Sequence, residues 1–393
     1  NRYDELTGVY LISGLYLYPF KHLTDPKYKG HIRSASIELG PVERKIYPLG
    51  NSDQFTFQYE YNNWFVPNRM KPDVFISEVS EPDEHGWMSY GPLGAMCGYD
   101  MNECANRVIV QVNKKTPHIF GMNNMIHVSQ VNAIVVQTHD IPEMPDVPVG
   151  EEERKIGQLL AERIPNGATI QLGWGAIPNA VAYGLKNHSN LGIHSESLTD
   201  SMVELAEAGV INGSKKTLFP YKMVCGFGVG KKKLYDFMNN NQAVWTMPIS
   251  YLNKPEIIAQ NNNMISINSA LEVDLTGQVA SEGLGFQQYS GCGGQVDYIK
   301  GAGMSKGGAS YIAMKSYAVN KNGEKISKVS LAFQPGTPIT TSRTEVSNIV
   351  TEYGIANIQG HPLSTRVKML IKIAHPEFRE KLLFDAKKVG LIY

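Results

Sequence analysis

Residues 138–150, THDIPEMPDVPVG, break the apolar patterning of the chain with three prolines and three acids in thirteen positions. Proline locks φ and removes a backbone donor, so such a stretch runs extended and joins units as a semi-rigid connector. A helix is expected directly after it. Glu151, Glu152 and Glu153 stand where the helix dipole favours negative charge, and Ile156, Leu159, Leu160 and Ile164 form one apolar stripe. The chain therefore divides into a unit over residues 1–137, the connector, and a unit over residues 151–393. A length of 393 residues agrees, at roughly 150 residues per domain.

Before the connector, residues 9–17, 74–79, 107–112 and 133–137 read as strands. After it strands alternate with helices. Residues 168–172 form a buried strand beyond Gly167, 191–196 a second, 222–225 a third and 242–246 a fourth. Helices are expected over 201–208, with Ser201 and Glu204 spaced as a capping box, and over 234–238. Short strands alternating with short helices give an α/β protein with mostly parallel sheets. Residues 264–280 alternate apolar and polar side chains, which predicts a local antiparallel excursion. Residues 311–333 read similarly, with Asn322-Gly323 as a hairpin signal. Two helices, 365–374 and 376–387, close the chain.

Lys+Arg and Asp+Glu both number 37, a formal charge of zero. Neutralising a phosphate backbone takes an excess of basic side chains, so nucleic acid and anionic membrane surfaces are not expected partners. No run of ~20 apolar residues exists to form a spanning helix. The first residue is Asn1, with no signal-peptide pattern. Cys97, Cys104, Cys225 and Cys292 show no CxxC spacing, so neither a zinc ribbon nor a redox couple is expected, and a reducing, cytoplasmic setting is.

Two glycine clusters stand out. QLGWGAIP at 171–178 leaves a strand and enters a helix, with Pro178 in the first turn. SGCGGQVD at 290–297 is followed by Gly301, Gly303, Gly307 and Gly308. Glycines let backbone approach a ligand, and helix N-termini present free N–H donors to anions. Neither cluster is a dinucleotide fingerprint or a P-loop, and ordinary turns are the competing reading. Between them, NLGIHSE at 190–196 is a strand ending in an acid. Ligands of open α/β sheets sit outside the carboxyl ends of strands, which makes Glu196 a candidate reactive group. Glu272 and Glu352 are its rivals.

QLGWGAIPNAV, NLGIHSE, NSALEVDLTGQV and GGQVDYIKGAGMSKGG, in this order and spacing, resemble the acetyl-CoA hydrolase/transferase family of CoA-transferases. The nearest members in appearance are its butyryl-CoA:acetate and 4-hydroxybutyrate CoA-transferases. EPDEHG at 81–86 with SYG at 89–91, TSR at 341–343, VTEYGIA at 350–356 and IAHP at 373–376 extend the resemblance over nearly the whole chain. It implies two open α/β/α domains of the CoA-transferase type, the first lacking the strand and glycine turn with which family members usually open. It implies further that Glu196 is the nucleophile, that Gln171, Leu172, Gly173, Trp174 and Gly175 belong to the CoA site, and that Leu271 and Gly294 line it. The expected reaction moves CoA between acetate and butyrate or 4-hydroxybutyrate through a glutamyl-CoA thioester, with acyl-CoA and short carboxylates as partners. No metal and no cofactor beyond the substrate coenzyme A is expected, and a homodimer or higher homo-oligomer is. Hydrolysis of acyl-CoA on the same scaffold and non-catalytic CoA binding are the alternatives.

Acyl transfer places negative charge on a carbonyl oxygen, and each backbone N–H aimed there typically contributes about 2.7–4 kcal/mol. Gly173, Trp174, Gly175, Gly293 and Gly294 are the candidate donors. Lys306 reads either as a contact to a CoA carbonyl or phosphate or as a solvated loop lysine. Lys231, Lys232 and Lys233 read as phosphate ligands or as a solvated helix start. Strand alternation puts His194 on the face of Glu196, as a tuning group or a packing histidine. His85, with Asp83 and Glu84, lacks zinc-protease spacing and reads as a loop residue. Glu272 and Asp274 share a strand face as scaffold acids. Trp174 either narrows the acyl pocket or packs outward.

Overall fold

The computed structural model describes residues 3–50, 52–145 and 147–393; Asn1, Arg2, Asn51 and the connector residue Asp146 lie outside the described residues. The protein is α/β. Its main sheet has nine strands, in spatial order Gly354–Asn357, Asn348–Thr351, Ala309–Ala313, Met264–Ser269, Thr169–Leu172, Gly192–Leu198, Met223–Gly228, Val244–Thr246 and Phe120–Gly121. Every neighbouring pair is parallel except the first. From the central strand Thr169–Leu172 the chain builds outward on one side, then returns to build the other from Met264–Ser269. This reversal of strand order is where open α/β sheets form ligand crevices.

Helices cover both faces. On one, Ile156 and Leu160 of Glu151–Ala161, Val181 of Ala176–Gly184 and Val203 of Asp200–Glu207 pack on Ile170, Ile193, Ile265 and Ile267. On the other, Tyr298 and Ala302 of Gln295–Met304 pack on Met264. Burial on both faces leaves nearly every residue of these strands out of solvent, including polar ones such as Gln171, His194, Ser195 and Ser266.

Residues before the connector form two three-stranded parallel sheets, Val9–Ser13/Ile32–Ser36/Ser52–Gln54 and Val74–Val79/Arg107–Val112/Ala133–Val136. The helix Gly91–Cys104 covers the second of these, with Ala95 against Val108, Val110 and Val112. The Phe120–Gly121 strand, which lies in the 1–137 unit, joins the nine-stranded sheet beside Val244–Thr246. The connector has neither helix nor strand among its described residues, and it is tied down by Met144 N–H to the Gly230 carbonyl and by the Tyr235 hydroxyl to the Pro142 carbonyl.

Three local expectations are corrected. Residues 264–269 are not part of an antiparallel excursion but a parallel strand beside the central one; only Glu272–Asp274 with Val279–Ala280 is antiparallel. Residues 309–313 likewise join the parallel sheet, and the Asn322-Gly323 hairpin is confined to Tyr317–Val319 and Lys325–Ser327. Ser201 does not cap its helix. The helix begins at Asp200 after Thr199, and the Ser201 and Thr199 hydroxyls pair at 3.1 Å.

Candidate active site

Glu196 lies two residues inside the end of its strand, which continues to Leu198. Alternation sends Ser195 and Ser197 one way, where both hydroxyls donate to the Leu172 carbonyl. It sends His194 and Glu196 the other way, toward the helix Gln295–Met304. The Asn253 amide nitrogen donates to Glu196 Oε1 at 2.7 Å, and the Gly294 N–H also hydrogen-bonds the carboxylate. Gly294 is the N-cap of the ten-residue helix, so Glu196 sits at a helix N-terminus suited to an anion. Only glycine fits there, because a β-carbon at 294 would collide with Glu196 Oε1 and Asn253 Nδ2.

Burial nevertheless dominates the electrostatics of Glu196. It pushes the carboxyl up to about 8; Asn253 and Gly294 oppose this by hydrogen bonding, and the nearby Asp297 and Glu38 charges add to it. Asp297 is fully buried, and burial raises its carboxyl to about 7. Its Oδ2 accepts from the same Asn253 nitrogen at 3.1 Å and from the Glu60 N–H at 3.1 Å. Asp297 thus fixes which end of the Asn253 amide faces Glu196.

The third wall comes from before the connector. Glu38 follows the Ile32–Ser36 strand, and its Oε1 accepts from the Tyr59 hydroxyl at 2.7 Å. Its Oε2 accepts from the Ser290 hydroxyl at 2.8 Å and the Gly291 N–H at 2.7 Å. Gln54 donates to the Ser290 carbonyl and Cys292 Sγ to the Phe57 carbonyl, so residues 54–60 grip the whole 290–294 loop. The segment that carries Glu38 is fastened on either side by Glu43, a buried residue that accepts from the Ser36 hydroxyl and the Gly40 N–H as well as from the Tyr16 N–H.

Models of the acetyl-CoA hydrolase/transferase N-terminal and C-terminal domains match residues 27–145 and 230–386. The chain belongs to the acetyl-CoA hydrolase/transferase family. It is 45% identical over 359 residues to the 4-hydroxybutyrate coenzyme A transferase of Clostridium kluyveri, covering 91% of this chain and 82% of that protein. It is 34% identical to the butyryl-CoA:acetate CoA-transferase of Anaerostipes caccae, covering 100% of this chain and 89% of that protein. The crystal structure of RipA from Yersinia pestis superposes with a TM-score of 0.89 at 32% identity, covering 98% of this chain and 95% of that one. These relationships make this chain an enzyme of the CoA-transferase kind.

Of the residues to which the family resemblance pointed, Glu196 and Gly294 meet in one site, with Gly293 beside them. Gly173 and Gly175 border the same edge of the sheet; Gly173 is open to its surroundings, and Gly175, at φ 139°, caps the helix Ala176–Gly184. Others are placed differently. The Gln171 side chain is committed to the neighbouring strand, through the Ile267 N–H at 3.2 Å and the Asn268 amide at 3.3 Å. Leu172 is buried in the core against Ile193 and Ile267. Trp174 packs outward, half exposed, in a depression with Met144, Pro145, Tyr183 and Thr199 on the side of the opposite helices. The Leu271 N–H is bonded to the Ala280 carbonyl. Lys306 lies at the far end of the Gln295–Met304 helix, where its carbonyl accepts from the Asn263 N–H before the Met264–Ser269 strand. A ten-residue helix is ~15 Å long, so Lys306 sits at the opposite edge of the sheet from Glu196.

Lys232 and Lys233 are committed to Asp236 and Glu207 at 2.6 and 2.5 Å. His194 is a packing histidine: its Nε2 bonds the Leu252 carbonyl, its Nδ1 the Asn261 amide, and burial lowers it to about 3. Asp83 organises a turn by accepting from the His85 and Trp87 N–H groups. Asp274 likewise organises the Thr276–Gln278 turn. Glu352 accepts from the Ser316 N–H and hydroxyl. Among the described residues, no three His, Cys, Asp or Glu side chains are grouped to hold a metal, and no helix is long and apolar enough to cross a membrane.

Asn253, Asp297, Glu38 and Tyr59 were not assigned to the site from sequence. Glu38 was within reach, because it is an acid just past a strand, the criterion that selected Glu196. Asn253 follows a four-residue helix, Ile249–Leu252, and carries no sequence signal.

Proposed function

We propose that the protein transfers CoA between short-chain carboxylates, with butyryl-CoA or 4-hydroxybutyryl-CoA and acetate as the pair, using Glu196 as a covalent nucleophile. The observation carrying this reading is a carboxylate held at a helix N-terminus by one side-chain amide and one backbone N–H, between residues from both sides of the connector. The names of the two relatives support the substrate class.

The ionised Glu196 oxygen attacks the thioester carbonyl. A carbon–oxygen bond forms, the carbon–sulfur bond breaks, and CoA thiolate leaves an acyl-glutamyl anhydride. The thiolate then attacks the glutamyl carbonyl carbon, expelling the first carboxylate and leaving a glutamyl-CoA thioester. The second carboxylate reverses both steps. Division into easier steps is the general advantage of nucleophilic catalysis, and ping-pong kinetics is its signature. In the second attack, negative charge develops on a glutamyl oxygen of the carboxyl that Asn253 and Gly294 already contact, so donors in place stabilise it with little reorganisation. The hydrogen bonds that close residues 54–60 on the loop, from Gln54 to the Ser290 carbonyl and from Cys292 to the Phe57 carbonyl, support exclusion of water, which otherwise hydrolyses the thioester. We place the enzyme in the cytoplasm, where its four free cysteines stay reduced.

Butyryl-CoA is incubated with and without acetate, and the peptide containing residue 196 is analysed after hydroxylamine treatment. Acetate-dependent formation of acetyl-CoA and a hydroxamate on Glu196 are expected. Equal release of free CoA in both incubations assigns the hydrolase instead, and exchange without a modified Glu196 removes the covalent route.

A further inference from the structure

We propose that Glu38 is a specificity-determining residue, a fixed negative wall that restricts the acyl site to uncharged short chains and rejects acyl groups ending in a second carboxylate. The proposal rests on the transferase reading above and names its substrate class more narrowly.

Glu38 and Glu196 lean on consecutive residues. Glu38 Oε1 lies 3.7 Å from the position of a β-carbon on Gly293, and Glu196 Oε1 touches that of Gly294. With ~3.8 Å between adjacent Cα atoms, the two carboxylates are separated by on the order of 10 Å. They sense each other electrostatically, since the Glu38 charge raises Glu196. A four-carbon acyl group on Glu196 is roughly 5 Å long, so its free end stays within the field of Glu38.

The arrangement holds Glu38 immobile. Both of its oxygens accept from donors, the Tyr59 hydroxyl, the Ser290 hydroxyl and the Gly291 N–H, which is the bonding pattern of a carboxylate. Its partners are neutral, so they orient the charge without cancelling it. Glu282 and Asp297 face the same loop, and the Glu38 charge raises Glu282 as well. Among the described residues, none of the ion pairs involves Glu38, Glu196, Glu282 or Asp297. Lys300, which acts on Asp297, is paired with Glu345 at 3.8 Å. A butyryl or 4-hydroxybutyryl end adds no charge here. The distal carboxylate of a succinyl group loses its water and meets the Glu38 carboxylate with no unpaired cation beside it among the ion pairs of the described residues, the arrangement by which binding sites exclude wrong partners.

The test compares kcat/KM for butyryl-CoA, 4-hydroxybutyryl-CoA, succinyl-CoA and the methyl ester of succinyl-CoA, with acetate as acceptor. The wild type is expected to use succinyl-CoA about 100-fold less well than butyryl-CoA, and to use the neutral ester much better than the free acid. In Glu38→Gln, an amide oxygen still accepts from Ser290 and Gly291 while the amide nitrogen faces Tyr59, so charge is removed and shape kept. The succinyl-to-butyryl ratio is expected to rise about tenfold or more, whatever the absolute rates. Comparable wild-type turnover of succinyl-CoA and butyryl-CoA overturns the assignment, as does an unchanged ratio in folded Glu38→Gln. The ester comparison decides on wild-type protein alone if the variant does not fold. Failure of every acyl-CoA to exchange with acetate overturns the transferase reading itself, and the wall with it.

Discussion

Glu196 and Asp297 share one hydrogen-bond donor: the Asn253 amide nitrogen lies 2.7 Å from an oxygen of the first carboxylate and 3.1 Å from one of the second. An amide nitrogen has two hydrogens, so each carboxylate takes one, and the amide cannot turn over without opposing its oxygen to both. Glu196 is thereby coupled to a buried carboxyl group, and through the Glu60 N–H to the residues that close over the loop.

On the proposed mechanism the ionisation of Glu196 sets the pH dependence. Its carboxyl is raised to about 8, so the nucleophilic carboxylate is the minor form at neutral pH and increases as pH rises. The kcat/KM for acyl-CoA is expected to climb about tenfold per pH unit below the inflection and to level off above pH 8. The same shift has a sign for stability. A raised acid binds its proton more tightly in the folded protein, a contribution fully present below the unfolded pKa and lost as pH rises through about 8. Initial rates and melting temperatures measured across this range check both; a flat rate profile is incompatible with an ionising Glu196.

Asp297→Leu removes the acceptor that holds the Asn253 amide nitrogen and the Glu60 N–H. Asn253 is then free to turn its oxygen toward Glu196, and kcat is expected to fall by roughly 10–100-fold with the acyl-CoA KM little changed. Loss of the neighbouring charge also moves the pH inflection below 8, because Asp297 is among the groups raising Glu196. A purely structural Asp297 lowers the melting temperature and leaves the inflection in place, so the pH profile separates the two roles.

Gly294→Ala puts a methyl group against Glu196 Oε1 and Asn253 Nδ2. The carboxylate is expelled from the helix N-terminus, and the N–H donor no longer meets it. Loss of a single such donor costs about 10²–10³ in kcat, and that is the expected fall, with overpacking lowering stability by about 1–3 kcal/mol. Circular dichroism establishes that the variant is folded. Wild-type exchange rates in folded Gly294→Ala remove Gly294 from the site.

The strands at Val74–Val79 and Arg107–Val112 were legible to the residue because their apolar runs stop at polar turns. The Met264–Ser269 strand was not. Its alternation imitates an antiparallel strand because its two faces differ: Ile265 and Ile267 enter the large core, while Asn268 on the other side pairs with Gln171. Lys306 illustrates the opposite error, in which a glycine-rich neighbourhood close in sequence to Gly294 is carried by a helix to the far edge of the sheet.

By itself the sequence determined the α/β alternation and the family, and it pointed to two residues that the fold brings together in the candidate site, Glu196 as an acid at a strand end and Gly294 through the family resemblance. Tertiary structure alone decided what surrounds the nucleophile. Ser290 and Glu38 are 252 positions apart in the chain, and Asn253 and Glu196 are 57 apart. No local periodicity encodes such pairs; they exist because sheet order and closure of residues 54–60 carry them to one loop. Burial then does the rest, raising the Glu196 and Asp297 carboxyls above their ordinary range at one loop.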